Sequence, residues 1–441
     1  MRTSHLQNIS NNLLGIIWIL SLVTIFIDWP SLKTLNGIIL FVYILLVAPF
    51  CRKSLQVLSL ALATSALCIC IFQDGWHWVW AGIEKATLFA AFFGTLSLIR
   101  ATAERRPEIK EARISVNRLG GGERSTGLLA GTFLLGSTLI VGVMAIFSPI
   151  IGREAPMEVR LSAAEASQRG MCLACLWSPF WVAMAVSSEH LPDVPLWQIM
   201  LTGLLLSGLG LVTAQLIYTP KVGLTGLVRA IRAFRLILLP VSLAALVVLA
   251  LNLVSPLTTL QSLVLGVPLL CIASLVFSGP QNLIEGFKEA GAGLGTIRGE
   301  IMLLTCSFAL GLGIQFVLES GNLLDWISDF SPPPLAIIFG SVAFMSVLAF
   351  IGIHQIVTLT VVLVVCANLP VGIDHLALMQ TGLLGWSFAS MIGLSAVSVA
   401  AAGTMFNIPI ERLAYGNNVK FVVFFSFIGA GWIALLNKLL S

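Results

Sequence analysis

The sequence predicts an all-α polytopic membrane protein, with about 11 transmembrane helices plus two re-entrant hairpins in an inverted repeat. Hydrophobic residues make up 58% of the 441 residues and charged residues only 10%, and the mean hydropathy is +0.99. A soluble chain cannot cover its surface with so few polar residues. Several long apolar segments are interrupted by polar residues, which are tolerated at membrane depth only where they line protein or a wet cavity.

Residues 1–78 are expected to form peripheral N-terminal spans. Three apolar segments, Leu13–Trp29, Asn36–Phe50 and Leu55–Phe72, lie in this region. Each approaches the roughly 20 residues that a helix needs to cross a bilayer. A fourth span is predicted over Val79–Ile99.

The loop from Arg100 to Arg124 is the most basic stretch of the chain. Because short loops rich in Lys and Arg stay in the cytoplasm, this loop is expected inside. Four predicted spans precede it, so the N-terminus is expected in the cytoplasm as well. We therefore expect an integral protein of the bacterial inner (plasma) membrane.

The first inverted repeat is predicted over residues 79–218. A re-entrant hairpin is predicted over residues 128–169, entering from the cytoplasm with Ser148 and Pro149 at its tip. Its second arm, Gly152–Arg169, is unusually charged and is expected to lean into cytoplasmic water. The sequence leaves open whether this arm belongs to the hairpin or is a cytoplasmic helix.

A broken helix is predicted next, over residues 171–187. Ser178 and Pro179 interrupt its apolar run, and a proline inside a helix removes a backbone donor. The span Leu196–Tyr218 completes the first repeat. Residues 219–299 are expected to link the two halves through further spans and a Gly-rich cytoplasmic loop.

The second inverted repeat is predicted over residues 300–441. A second hairpin is predicted over residues 333–369, because His354 and Gln355 form a polar pair near the middle of an apolar stretch. Each arm alone is too short to cross the bilayer comfortably. This hairpin is expected to enter from the outside.

A second broken helix is predicted over residues 376–402, where a small polar run extends from Ser390 to Ser395. The charges of the loops put the first repeat's opening residue, Val79, outside and the second repeat's opening residue, Ile301, inside. The two halves are therefore predicted to have opposite orientations. Similar halves in opposite orientations are typical of inverted-repeat secondary transporters.

This order of span, hairpin, interrupted helix and span, repeated over residues 79–439, resembles the ion transporter (IT) superfamily. That superfamily includes divalent-anion/sodium symporters, arsenite permeases, gluconate- and lactate-type permeases and some sodium/proton antiporters. The most family-like stretches are Ile301–Trp326 and Trp177–Phe180. The resemblance implies alternating access with an elevator-like movement of the hairpin domain, and a homodimer.

The hairpin tips depart from one pattern of the superfamily. Dicarboxylate members carry Ser-Asn-Thr at each tip, whereas this sequence has Ser148-Pro149-Ile150 and His354-Gln355-Ile356. Sodium coupling and dicarboxylate specificity are therefore not carried over from the resemblance.

The predicted tips and breaks are expected to meet near the bilayer centre. Helix N-termini there attract an anion, and C-terminal carbonyls suit a cation. The competing interpretation is that Ser and Thr in membrane helices bond their own backbone or tighten packing. The residues expected to bind substrate are Ser148, Pro149, Ser178, Pro179, His354, Gln355, Thr358, Ser390 and Ser395.

His354 is the strongest single candidate for a functional residue, because an ionisable group at membrane depth is costly and usually functional. It could carry a coupling proton or donate to substrate, or it could be a neutral residue of the hairpin fold. We expect no catalytic residues, no metal site and no cofactor, with Na+ or H+ as the coupling ion. The expected partners are a small anionic substrate, membrane lipid and a second copy of the chain, and not nucleic acid.

The function predicted is secondary active transport of a small organic anion. The first alternative is a cation/proton antiporter of the same fold, which needs an intramembrane carboxylate, and the sequence has none at a predicted break. The second is a membrane-embedded glycan-processing enzyme. Such an enzyme needs a large outer loop with charged catalytic residues, and the predicted outer loops are short.

Overall fold

The computed structural model describes residues 2–106, 108, 111, 114, 116–320, 332–368 and 372–440. Within these ranges the regular secondary structure is helical. Ten helical segments of the described chain are long and apolar enough to cross a membrane. The bent pair Gly223–Ala233 and Leu238–Val254, at 76° to each other, makes an eleventh if it is taken as one span. The prediction of an all-helical membrane protein with this number of spans is confirmed.

The α-helices of the first part of the chain are α1 (Arg2–Phe26), α2 (Pro30–Val47), α3 (Lys53–Gln73), α4 (Trp76–Ala103), α5 (Gly121–Leu139), α6 (Val143–Phe147), α7 (Met157–Ala174), α8 (Val182–His190), α9 (Leu196–Tyr218) and α10 (Gly223–Ala233). Those of the second part are α11 (Arg235–Val254), α12 (Thr259–Phe277), α13 (Pro280–Gly293), α14 (Arg298–Ser320), α15 (Pro334–Phe350), α16 (Gln355–Asn368), α17 (His375–Ile392), α18 (Val397–Phe406), α19 (Ile410–Ala414) and α20 (Asn417–Leu440).

The chain divides into two compact units. The first unit comprises residues 1–102, 250–331 and 364–370, and the second comprises residues 103–249, 332–363 and 371–441.

In the first unit, small and polar residues bring helices into close contact. A Cβ added at Gly82 of α4 would lie 2.5 Å from the Phe308 carbonyl oxygen of α14, so glycine permits this approach of the two backbones. Asn36 Nδ2 donates to Ser21 Oγ at 3.0 Å, and Ser21 Oγ donates to the Thr87 carbonyl at 3.2 Å. Interhelical hydrogen bonds of this kind join α1, α2 and α4.

The second unit is built around two broken helices. The first consists of α7 and α8, separated by residues 175–181, and the second of α17 and α18, separated by residues 393–396. Pro179 lies in the first interruption, where it can donate no backbone hydrogen bond. The second interruption contains no proline and begins at Gly393, whose N–H makes the last helical bond, to Ala389, at 2.8 Å.

The two broken helices run antiparallel. Arg160, near the start of α7, donates to the carbonyls of Phe406 and Asn407 at the end of α18. Ser387 Oγ of α17 donates to the Cys172 carbonyl of α7 at 2.8 Å. Beyond the other ends, Asp193 Oδ2 and His375 Nδ1 are 2.7 Å apart. Across these three contacts, residue numbers rise along the first broken helix and fall along the second, as they do for antiparallel helices.

The first half of the first broken helix begins earlier than predicted. Helix α7 is continuous from Met157 to Ala174, so it crosses the predicted boundary between the hairpin (128–169) and the broken helix (171–187). The helix also packs closely against α5, since a Cβ at Gly170 would lie 2.1 Å from the Leu129 carbonyl oxygen. Upstream, α5 ends at Leu139, and Ile140 has a φ of 48°.

The interruptions in the second half lie close to their predicted positions. Helices α15 and α16 are separated by residues 351–354, within the predicted hairpin 333–369. The gap between α17 and α18 falls at residues 393–396, within the predicted broken helix 376–402. The end of the predicted hairpin at Leu369 lies outside the described residues.

Candidate functional site

The interruption between α15 and α16 lies beside the break between α17 and α18. Leu394 N donates to the Ala349 carbonyl at 3.2 Å, and Gln355 Nε2 donates to Ser390 Oγ at 3.4 Å. These bonds bring together two points at which helical hydrogen bonding stops. We call this region the second break cluster; it comprises His354, Gln355, Thr358, Ser390, Ser395 and Ser398.

His354 is the residue immediately before α16 and is only 3% exposed. Its Nδ1 accepts a hydrogen bond from Ile356 N at 3.3 Å, in the manner of an N-cap side chain. A ring nitrogen that accepts is unprotonated, so this bond assigns the remaining proton of a neutral ring to Nε2.

Polar atoms in the second break cluster remain without hydrogen-bond partners. Gln355 is 6% exposed, and its Oε1 accepts no hydrogen bond from the described residues. The Ser395 hydroxyl is buried without a partner in the same part of the structure. Thr358, by contrast, donates to the Gln355 carbonyl at 3.2 Å, which is the backbone bonding expected of a threonine in a membrane helix.

A chain of hydrogen bonds leads from this cluster to α7 and α20. Ser398 Oγ donates to the Ser390 carbonyl at 2.5 Å, and Gln168 Nε2 donates to the same carbonyl at 3.4 Å. Asn418 Nδ2 donates to Gln168 Oε1 at 3.2 Å. Arg169 Nη1 then donates to Asn418 Oδ1 at 2.7 Å. Gln168, Asn418 and Ser398 are not among the site residues predicted from the sequence.

Charged residues of α7 take part in this buried network instead of facing water. Glu165 and Arg169 are 2% and 3% exposed, so the expected exposure to cytoplasmic water is wrong for both. Glu165 Oε1 accepts from Asn417 N at 2.7 Å, and its other oxygen accepts from Asn417 Nδ2 at 3.2 Å. Its charge therefore faces the positive end of the α20 dipole.

Close packing holds Glu165 and Arg169 in place. A Cβ at Gly416 would lie 2.4 Å from Glu165 Oε1, so the glycine leaves room for the carboxylate. The Arg169 guanidinium lies 3.8 Å from the centre of the Tyr218 ring, a cation–π contact. Tyr218 in turn donates its hydroxyl proton to the Asn417 carbonyl at 2.6 Å.

The first break, between α7 and α8, has a different character. Ser178 Oγ donates to the Ser137 carbonyl at 2.5 Å and accepts from Phe180 N at 3.3 Å. Trp181 Nε1 donates to the Gly136 carbonyl at 3.1 Å. Ser178 and Trp181 therefore tie this break to the C-terminal turn of α5, while the Trp177 indole N–H is buried without a partner among the described residues.

The structure does not bring all the predicted site residues together. His354, Gln355, Thr358, Ser390 and Ser395 gather at the second break, while Ser178 and Pro179 lie at the first. Ser148 and Pro149 lie in a short 3-10 turn, half-buried and exposed respectively. Among the described residues, the hydrogen bonds of the two breaks involve neither of these two.

Comparisons with known proteins give a loose likeness to solved structures. No family model matches the sequence, and no curated protein matches it. Among solved structures, the fold is similar to the crystal structure of the Alcanivorax borkumensis YdaH transporter, which was described as having an unusual topology. The two chains are 15% identical, with a TM-score of 0.49 over 78% of this chain and 85% of that one.

Proposed function

We propose that this protein is a secondary active transporter of a small organic anion, driven by protons or sodium and working by alternating access. The observation that carries the proposal is the second break cluster. There, two helices begin beside one another among buried polar groups.

The polarity of the cluster favours an anion. Helix α16 begins at Gln355 and α18 at Val397, and both starts are tied to Ser390 by hydrogen bonds. The first N–H groups of a helix lack intrahelical acceptors, and the helix N-terminus carries a partial positive charge. Half-helices whose N-termini face a common point are the usual anion sites of transporters with discontinuous helices.

The antiparallel course of the two broken helices supports an inverted repeat. In the first half, a Cβ at Gly131 of α5 would lie 2.8 Å from the Phe147 ring, so the chain after Ile140 doubles back along α5. This supports a re-entrant hairpin whose turn is at Ile140, with Ser148 and Pro149 on the returning arm. In the second half, α15 and α16 would form the corresponding hairpin, with its turn at residues 351–354.

Proton coupling has a candidate mechanism at His354. Protonation of Nδ1 would convert this nitrogen from an acceptor into a donor, so the bond from Ile356 N to Nδ1 would be lost. The start of α16 would then lose its cap. Proton binding would thereby change the second break cluster, which is how a coupling ion alters a transport site.

The remaining parts of the proposal come from the resemblance and from loop charge. They are IT-superfamily membership, an elevator-like movement, a homodimer, and insertion in the bacterial inner membrane with the N-terminus in the cytoplasm.

The test is uptake by purified protein in proteoliposomes. An imposed inward proton or sodium gradient should drive accumulation of at least one labelled anion from a panel of lactate, gluconate, succinate and citrate. An ionophore that collapses the gradient should abolish the accumulation. If protein-free liposomes accumulate as much of every anion under both gradients, the proposal is wrong.

A second candidate function, cation/proton antiport, gains support from Glu165. This buried carboxylate was not anticipated, because the sequence placed it in water. Antiport predicts that adding Na+ or K+ to acidified proteoliposomes releases internal protons, and that Glu165→Gln abolishes this release. Anion uptake without cation-induced proton release would reject antiport.

A further inference from the structure

Arg169 is a buried cation whose hydrogen-bonding capacity is mostly unused. Within the described residues, the guanidinium makes one hydrogen bond, from Nη1 to Asn418 Oδ1. Its Nε is buried without a hydrogen-bond partner in the described chain. A guanidinium has five N–H groups, and the described residues provide an acceptor for one of them.

The nearest carboxylate along α7 makes no direct ion pair with this guanidinium. Glu165 is one helical turn away, and both of its oxygens are occupied by Asn417. The ion pairs found within 4 Å among the described residues do not include Arg169. A buried charge with no direct ion-pair partner is costly, and a bound anion would reduce that cost.

The contacts of Arg169 also fix its orientation. Asn418 holds Nη1, and the Tyr218 ring packs against the guanidinium plane. The edge formed by Nε and Nη2 points away from Nη1, because the group is planar and rigid. This edge has the geometry that receives the two oxygens of a carboxylate in parallel hydrogen bonds.

We propose that the Nε–Nη2 edge of Arg169 binds a carboxylate group of the transported anion. This inference rests on the proposed function and adds the anchoring residue and the chemical group it takes. Gln168 is adjacent in sequence and bonds both Asn418 and the Ser390 carbonyl, so a ligand on Arg169 is linked to the second break cluster.

The experiment measures binding to the purified full-length protein in detergent, separately from transport. The probes are sodium acetate, succinate and citrate, with chloride, phosphate and sulfate at equal ionic strength. Isothermal titration should show saturable binding of at least one carboxylate. Arg169→Gln should weaken it at least tenfold, and Arg169→Lys should also weaken it, because an ammonium cannot form the bidentate pair.

Arg160→Gln is the matched control. Arg160 lies on the same helix and is half-buried, but its guanidinium donates to the carbonyls of Phe406 and Asn407. This variant should bind the carboxylate with wild-type affinity, even if its thermal stability falls.

A second measurement separates an anchoring role from a structural one. Without any probe, Arg169→Gln should melt at the wild-type temperature or above, because it removes a buried charge that has no direct ion-pair partner, and the glutamine amide can still donate to Asn418. If Arg169 were a structural residue, the variant would melt at a lower temperature and its carboxylate affinity would be unchanged.

Several outcomes overturn the inference: wild-type affinity in Arg169→Gln, failure of every carboxylate to bind the wild type, or tighter binding of phosphate or sulfate than of any carboxylate.

The proposed function fails in a different way. Carboxylate binding that depends on Arg169, without gradient-driven uptake, would leave the anion site standing and reject transport. Gradient-driven uptake with wild-type affinity in Arg169→Gln would support transport and reject the anion site at Arg169.

Discussion

The two helix breaks of the second unit differ in how their polar groups are satisfied. At the first break, Ser178, Phe180 and Trp181 all have partners, two of them on the end of α5. At the second break, Gln355 Oε1 and the Ser395 hydroxyl have none among the described residues. Both breaks interrupt an apolar helix. The first is bonded to α5 with only the Trp177 indole N–H unpaired among its described side chains, whereas the second leaves an amide oxygen and a hydroxyl unpaired.

We infer that the second break, and not the first, is the candidate binding site. A buried polar group without a partner is costly, and a bound ligand or ion would supply the missing bonds at Gln355 and Ser395. At the first break, Ser178 and Trp181 already bond α5. We therefore expect changes at the first break to lower stability, and changes at the second to lower binding and transport.

The largest expected effect concerns the packing around the first break. A Cβ at Gly203 of α9 would lie 1.8 Å from the Leu176 carbonyl oxygen, so Gly203→Ala should destabilise by about 3 kcal/mol or more, the upper range for overpacking. Size-exclusion chromatography of detergent extracts should show loss of the folded peak. Gly208→Ala on the same helix has no atom within 4 Å of its added Cβ and should behave as wild type; equal behaviour of the two variants would contradict the packing described.

The next effect tests whether the first break is structural. Ser178→Ala leaves the Ser137 carbonyl without its donor and should lower the free energy of unfolding by about 1–3 kcal/mol. Uptake per folded molecule should be unchanged. Thermal melting and proteoliposome uptake, each normalised to folded protein, check both parts. A variant with wild-type stability and impaired uptake would place a transport role at the first break.

Gln355→Leu should have the opposite signature. Loss of the side-chain amide should reduce anion affinity about tenfold, equivalent to about 1.4 kcal/mol, with little change in melting temperature. Ser346→Ala is the control, because Ser346 is buried on α15 and bonds its own backbone at Val342. Equal losses of affinity in the two variants would argue against a specific site at the second break.

The smallest expected effect concerns the pH response of the second break. His354→Asn keeps a side-chain acceptor for the start of α16 but cannot titrate, whereas His354→Ala loses the cap as well, at a cost of about 1 kcal/mol. Both should flatten the pH dependence of uptake, because neither replacement side chain titrates as histidine does. Only the alanine variant should also melt earlier. If uptake by both variants kept the wild-type pH profile, His354 would not carry the coupling proton.

Local sequence signals located the interruptions but did not distinguish them. Ser178-Pro179 and His354-Gln355 stand out because polar residues and proline are rare inside apolar runs, so their positions were predictable. The network of Gln168, Arg169 and Asn418 was not, because its partners are about 250 positions apart along the chain. A charged helix with no visible partner was interpreted as a helix in water.

The sequence by itself determined that the protein is helical, that it has about this many apolar spans, and that helices break near Ser178, His354 and Ser390. These properties depend on hydrophobicity and backbone chemistry over a few neighbouring residues. The tertiary structure alone decided that Glu165 faces the start of α20 and that Arg169 is buried with no direct ion pair among the described residues. It also decided that Ser178 and Trp181 tie the first break to α5, while Gln355 Oε1 and the Ser395 hydroxyl have no partner in the described chain. Hydrogen-bond satisfaction depends on which distant helices become neighbours, and no local pattern in the chain records that.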